Sequence, residues 1–310
     1  MNRVVFLGDF NVDLIMDGLE VPPVEDHEIG CSSFDIVMGS SSCIAAAAYA
    51  RLGGSASVCG LCGADEFGAF MRARLSEAGV RTGLVLGAEA LKTGVTVNLV
   101  RGRGRSQVTY PGAMGAFSAA HVPGRMFASL RHLHVSGVYQ ARSLLPDVAG
   151  ILGRAADAGA TLSLDCQWDP TERWENLDTW LPRVDWLFVN EQEARSMTGH
   201  AEPADQLRAL ASRTRRPVLK AGPAGAWIVD KGRERHVPGF VVRVVDAIGA
   251  GDNFDAALLY AVIEKAMDLP AAARFANAAA ARSCTFRGGT DARSTYRDVI
   301  HFMESGAAAR

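Results

Sequence analysis

A chain of 310 residues with 48% hydrophobic content is long enough to bury a large core, as one α/β domain or as a domain with a smaller appendage. Its 34 acidic residues against 32 Lys and Arg leave a formal net charge of −2, which gives no electrostatic pull toward nucleic acid or a membrane surface. No apolar run reaches transmembrane length, and Met1-Asn2-Arg3 leads straight into a strand-like stretch without a signal-peptide pattern, so a cytoplasmic protein is expected.

Val4 to Leu7 reads as a buried strand ending at Gly8. Asp9 to Met16 then alternates polar and apolar residues, which puts Asn11 and Asp13 on one face of an extended segment. A carboxylate and a carboxamide pointing the same way can grip vicinal hydroxyls; a half-solvated strand face is the competing reading. Val21 to Gly30 is a loop, and Ser33 to Val37 alternates again before Gly39. Ser40-Ser41-Ser42 opens an alanine-rich helix over Cys43 to Leu52, stopped by Gly53-Gly54. The next strand, Ser57 to Leu61, includes Cys59 of Cys59-Gly60-Leu61-Cys62, formally a CxxC. With no second pair beside it, the pair reads as two small core residues. A helix follows to about Ala78. Thr93 to Val100 and Ser106 to Tyr110 form a hairpin around Arg101, Arg103 and Arg105, which either is simply solvated or meets an anionic substrate. The segments near 10–20, 30–38 and 93–112 do not fit a strand–helix rhythm, and they read as a small sheet standing off a single main domain as a lid.

From about residue 131 the rhythm becomes strand–helix. Strands are expected at His132–Ser136, Thr161–Asp165, Trp186–Asn190, Pro217–Ala221 and Ala226–Val229, with helices at Leu145–Ala158, Glu191–Met197 and Ala204–Thr214. In a parallel sheet of this kind ligands bind beyond the carboxyl ends of the strands. Asp165, Asn190, Gly222 and Asp252 should therefore gather on one edge. Phe240 to Val245 reads as a further strand feeding the turn Asp246-Ala247-Ile248-Gly249-Ala250-Gly251-Asp252, and a helix runs on from there. Small residues at a helix start let backbone N–H groups approach an anion, so this is a phosphate site by construction. Asp252 inside it makes sense as a base that takes a proton from a hydroxyl about to be phosphorylated; a plain helix cap is the alternative. The tail from Ser305 is expected to be disordered.

No Walker P-loop, dinucleotide fingerprint, hydrolase elbow or zinc-type histidine spacing is present. Instead Asp246-x-x-Gly249-Ala250-Gly251-Asp252-x-Phe254 resembles the signature of the ribokinase-like (PfkB family) carbohydrate kinases. Asn11-Val12-Asp13 resembles the family's sugar-binding strand. Gly39, Ala50-Arg51-Leu52-Gly53 and Gly63-x-Asp65-x-x-Gly68 resemble its first signature. Val189-Asn190-Glu191-Gln192-Glu193 resembles its Asn-x-x-Glu motif, Lys220 to Ala226 its nucleotide loop, and Ala276 to Ala280 its helix beside the adenine.

The resemblance implies a Rossmann-like α/β fold, with a mostly parallel sheet covered by helices on both faces and a β-sheet lid that often doubles as a dimer interface. It implies ATP and Mg²⁺, and K⁺ as a candidate further ion. Asp252 would be the catalytic base, and the amides of Gly249, Ala250, Gly251 and Asp252 the anion hole. Asn11, Asp13 and Gly39 would bind the acceptor. Asn190, Lys220, Gly222, Gly225 and Asn277 would serve the nucleotide. Asn190 and Glu193 would organise Mg²⁺ indirectly, and Asp246, with backbone near Cys284 and Gly289, would match a monovalent-cation site. Several positions depart from the family: the usual Gly-Gly reads Gly39-Ser40 or Met38-Gly39, Cys43-Ile44 replaces a sugar-contacting Asn, Ala247 replaces Thr or Ser, and Asp165-Cys166-Gln167-Trp168-Asp169 replaces Asp-x-Asn-x-Arg. They leave the phosphoryl-transfer parts intact and bear on the acceptor. The expected activity is ATP-dependent phosphorylation of a sugar hydroxymethyl group. Rivals are a nucleoside kinase of the same family, with Phe10, Tyr110 and Tyr139 as candidate pocket walls, and a non-catalytic sugar- or nucleotide-binding protein.

Overall fold

The structure, a computed structural model, describes residues 3–102, 104–286 and 294–305. The sequence readings of Arg103, Gly289 and the tail beyond Ser305 fall outside those residues. Strand β1 (Arg3–Gly8) starts a large sheet, which the chain leaves at once for β2 (Asn11–Asp17) and β3 (Ser33–Met38) of a second, smaller sheet. It returns for β4 (Ala56–Gly63) and β5 (Arg81–Ala88), and leaves again for the hairpin β6 (Gly94–Arg101) and β7 (Gly104–Tyr110). The rest of the large sheet follows: β8 (Leu130–Ser136), β9 (Thr161–Asp165), β10 (Trp186–Asn190), β11 (Pro217–Lys220), β12 (Gly225–Asp230) and β13 (Arg233–Pro238).

The large sheet has the order β13-β12-β11-β10-β9-β8-β1-β4-β5, parallel throughout except where β12 and β13 pair antiparallel at one edge. Both of its faces are covered, as parallel sheets require. β1 shows how: Val4 and Phe6 enter one apolar core, and Val5 and Leu7 the other. The first core packs against the helices Ser41–Arg51, Ala250–Ile263 and Leu269–Ser283; the second packs against Val148–Asp157, Glu191–Thr198 and Pro203–Ala211. Each fully buried Leu, Val or Phe contributes about 1.5–3 kcal/mol relative to leaving it exposed. Cys59 and Cys62 face opposite cores, and burial pushes the Cys59 thiol up to about 12 and raises that of Cys62. They are core residues, as their strand context suggests, and not a redox pair. Among the described residues no helix is long and apolar enough to cross a membrane.

One expected strand is absent. Residues 239–245 have no ladder partner, and Val241 is 75% exposed. The valine-rich composition has strand propensity, but β13 is the last strand of the sheet, and Pro238-Gly239 turns the chain off it before another can pair. The segment instead runs toward the Leu269–Ser283 helix, where the Val245 and Asp246 N–H groups both donate to the Cys284 carbonyl, at 2.8 and 3.2 Å.

The small sheet has the order β3-β2-β6-β7. Asp13 sits opposite Thr96, and Thr96 opposite Thr109, so one face carries Asn11, Asp13, Thr96, Asn98, Arg105, Gln107 and Thr109. The other carries Met16, Phe34, Ile36, Val108 and Tyr110, all exposed. The two-residue period sorts the strands into a polar inner face and an apolar outer face.

Candidate active site

The parallel strands deliver their functional groups just past their carboxyl ends: Asp9 after β1, Asp165 at the end of β9, Asn190 at the end of β10 and Lys220 at the end of β11. A cleft of about 720 Å³ opens there, walled on the far side by the inner face of the small sheet. Asn11, Asp13, Asn190, Glu193, Lys220, Gly222, Gly249, Ala250, Gly251 and Asp252 all line it. A second, more apolar groove of about 270 Å³ shares Lys220, Gly222, Ala247, Ala250 and Gly251 with the cleft. It continues between Gly239–Val244 and Phe254, Asn277 and Ala280.

At the shared wall begins the Ala250–Ile263 helix, with Gly249 as its N-cap in the left-handed region at φ 70°. Fourteen residues of aligned peptide dipoles place positive potential at this end. The Ala250 N–H is already closed onto the Ala247 carbonyl at 3.3 Å. Asp252 lies in the helix's first turn. Ser41 donates its hydroxyl to Asp252 Oδ1, and Gln167 Nε2 donates to the same oxygen at 3.3 Å and to Ser41 Oγ at 2.8 Å. Burial, reinforced by Asp165, pushes the Asp252 carboxyl up to about 7 even though Ser41 stabilises its charged form.

Behind this turn is a buried charge cluster. Lys220 Nζ donates to Asp165 Oδ2 at 2.5 Å and to Asp255 Oδ2 at 3.2 Å, with the lysine side chain 12% exposed. Burial alone would lower the Lys220 ammonium, but Asp165, Asp255 and Glu193 together raise it. Burial likewise opposes charge on Asp165, and Lys220 overcomes it, holding Asp165 below the usual carboxylate range; burial raises Asp255 well above that range. The Lys220 ammonium also limits Gly251, since a Cβ there would stand 3.3 Å from Nζ.

Asn190 and Glu193 form a capping box: Asn190 N–H donates to Glu193 Oε2 at 2.9 Å, and Glu193 N–H to Asn190 Oδ1 at 2.8 Å. Burial and the charge of Asp165 push Glu193 up to about 7. Hard oxygen donors suit Mg²⁺, which takes one or two protein oxygens and fills its other positions with water and phosphate. Among the described residues no group of three or more His, Cys, Asp or Glu forms a metal cage.

On the small-sheet side Asn11 Nδ2 donates to Asp13 Oδ1 at 2.9 Å and to Thr96 Oγ1 at 3.1 Å. Burial and the nearby Asp9 push the Asp13 carboxyl up to about 7. Gly39 leaves the Asn11–Asp13 pair its room: a Cβ would stand 2.3 Å from Asp13 Oδ1 and 2.7 Å from Asn11 Nδ2, so both side chains would have to shift. Gly225 is constrained differently. Its φ is +104°, and a Cβ would stand 2.2 Å from the Val237 carbonyl, so that glycine shapes the β12–β13 hairpin. Asn277 lines the apolar groove, but its amide donates to the Val237 and Pro238 carbonyls, at 3.0 and 3.1 Å. Asp246 Oδ1 accepts from Ile248 N–H at 2.9 Å and so supports the glycine turn itself.

Three site residues escape sequence reasoning. Asp9 accepts Ser41 and Ser42 N–H, at 2.9 and 3.1 Å, and the Ser40 hydroxyl at 3.1 Å, anchoring the helix that carries Ser41. It shares the alternation of Asn11 and Asp13, which was the available signal. Ser41 and Gln167 lie in stretches the sequence singles out, the serine helix entry and the 165–169 departure, but no local pattern announces their meeting across 126 residues of chain. The candidate aromatic walls do not line the cleft: Phe10 is core, Tyr139 packs edge-on to Trp174, and Tyr110 lies on the outer face of the small sheet. Trp168 lines the cleft instead.

The class of fold is shared with a solved protein, a putative ribokinase II from E. coli in complex with ATP and Mg²⁺, at TM-score 0.88 over 98% of this chain and 100% of that one, with 21% identity. The model of the pfkB family carbohydrate kinases matches residues 1–295, and the chain belongs to that family. Fructokinase-1 of Oryza sativa subsp. japonica is 27% identical over 97% of this chain and 98% of its own length. Ribokinase of Haemophilus influenzae is 25% identical over 96% and 97%. The protein is a ribokinase-like carbohydrate kinase.

Proposed function

We propose that the protein transfers the γ-phosphoryl group of ATP to a hydroxymethyl group of a sugar, with Asp252 as the general base. The observation that carries this reading is the shared wall: the polar cleft and the apolar groove meet at Lys220, Gly222, Ala247, Ala250 and Gly251, beside Asp252. The sugar lies in the cleft between Asn11–Asp13 and Asp252, with the small sheet as its lid. Ser41 and Gln167 hold Asp252 through Oδ1, which offers Oδ2 to the acceptor hydroxyl. The carboxylate removes the proton as the oxygen attacks phosphorus. The start of the Ala250–Ile263 helix, with the amides of the 249–252 turn other than that of Ala250, which is closed onto Ala247, and Lys220 stabilise charge on the phosphoryl oxygens. The groove along Gly239–Val244 takes the nucleotide base, with Gly222, Gly225 and Asn277 shaping its walls. Mg²⁺, when bound near Asn190 and Glu193, would neutralise phosphate charge. The exposed apolar face of Met16, Phe34, Ile36, Val108 and Tyr110 supports a homodimer through the small sheet.

An assay of ATP consumption against a panel of sugars and nucleosides tests this. Sugar-dependent ADP release is expected. Turnover on nucleosides alone makes the protein a nucleoside kinase, and binding without turnover makes it a non-catalytic binder.

A further inference from the structure

We propose that the acceptor carries an anionic group, a carboxylate or a phosphate, and that Arg105 on the small sheet receives it. This rests on the kinase reading and adds the class of acceptor to it.

The register of β6 and β7 puts Arg105, Gln107 and Thr109 on the face shared by Asp13 and Thr96, and all three line the cleft. Among the described residues two cations line that cleft. Lys220 is committed to Asp165 and Asp255. Arg105 makes no ion pair with a described residue. A guanidinium presents a fork of N–H donors that matches the paired oxygens of a carboxylate or phosphate. The other charged walls, Asp9, Asp13, Glu193 and Asp252, are all acids. The start of the Ala250–Ile263 helix and Lys220 draw anions at the phosphate end; on the small-sheet side Arg105 is the one cation among the described residues that line the cleft.

Position gives the acceptor a direction. Thr109 stands level with Asp13, and Arg105 is four residues further along β7, ~13 Å of strand. The hydroxymethyl end sits by Asp252, the hydroxyls by Asn11 and Asp13, and the charged end toward Arg105. The plainer alternative is that Arg105 only offsets the charge of Asp13, whose ionisation it favours. In that case its loss weakens every acceptor equally.

The test compares an aldose, its aldonic acid and its 1-phosphate, which share the hydroxymethyl end and differ in charge at the other. kcat/KM is measured for the wild-type protein and for Arg105→Gln. The wild type is expected to favour at least one charged member. Arg105→Gln is expected to lose about tenfold or more on that member and distinctly less on the neutral aldose, which feels Arg105 only through the ionisation of Asp13. The carboxylate and phosphate arms show which anion fits. Preference for the neutral aldose over both anions, or equal loss on all three, overturns the proposal. Binding, read as a shift in melting temperature, separates it from the kinase reading. A charged ligand that binds the wild type but not the variant, and is never phosphorylated, keeps the anion subsite and removes the kinase step. Phosphorylation of neutral sugars, with charged ligands binding both proteins equally, removes the subsite and keeps the kinase.

Discussion

The two sides of the cleft are made from different materials. At the helix end the chemistry comes from backbone and a short local run: a left-handed Gly249, the following amides and one carboxylate three residues on. At the small-sheet end it comes from side chains on separate strands, brought into register by β2, β6 and β7. The first kind of site is written in consecutive residues. The second exists only once the strands pair. The proposed phosphate end departs from its family's pattern at Ala247 alone, while the other departures, at Ser40, Cys43 and Gln167, fall toward the proposed acceptor end. The structure gives these departures new work: Ser40 bonds Asp9, Cys43 is core, and Gln167 bonds Asp252.

If the two sides are separable, substitutions should split acceptor from nucleotide. The largest split is expected from Gly39→Ala. A methyl group 2.3 Å from Asp13 Oδ1 must push the Asn11–Asp13 pair aside. Acceptor kcat/KM should fall by about 100-fold, since a displacement near 1 Å at a positioned group costs about that much. ATP affinity should hold, and an equal loss of ATP affinity would mean the two sides are one mechanical unit. A smaller and opposite split is expected from Ala280→Phe, which fills part of the 270 Å³ groove. The KM for ATP should rise about tenfold, a cost of ~1.4 kcal/mol, with acceptor KM unchanged. Steady-state kinetics with each substrate varied in turn reads both.

The smallest effect concerns stability and pH. The folded-state pKa of Asp252 is raised from 3.8 to about 7, so the native state holds this proton more tightly than the unfolded chain. The stability this group contributes is full below pH 3.8 and is lost as pH rises through about 7. Asp252→Asn removes that loss. Its melting temperature should exceed the wild type's by about 2–4 °C at pH 8 for each kcal/mol regained, and the gain should vanish near pH 4. A gain independent of pH would trace to something other than the buried charge.

The sequence revealed the fold wherever strand and helix patterns were local. β8 to β12 lie where the alternation of apolar strands and amphipathic helices puts them. It misled at Phe240–Val245, where valine content imitates a strand but Pro238-Gly239 carries the chain away from β13, the last strand of the sheet. That Asp252, Asn190 and Lys220 line the cleft was legible because each follows a strand or opens a helix. Ser41 and Gln167 were not, because what makes them relevant is their meeting across 126 residues. The same limit hid the position of Arg105. A hairpin arginine is usually solvated, and only the pairing of β7 with β6 shows that this one faces the cleft.

The central claim is that Asp252 moves the proton while the rest of the wall binds phosphate. Measuring turnover and ATP affinity together for Asp252→Asn tests it most directly. The carboxamide keeps the size of the side chain and its acceptor oxygen but cannot take a proton. Turnover should fall by about 10²–10⁴-fold with ATP affinity unchanged, and in the wild type the acid limb of kcat/KM should bend near pH 7, the value to which burial pushes this carboxyl. Near-normal turnover in the variant, or a loss explained entirely by weaker ATP binding, would contradict the assignment.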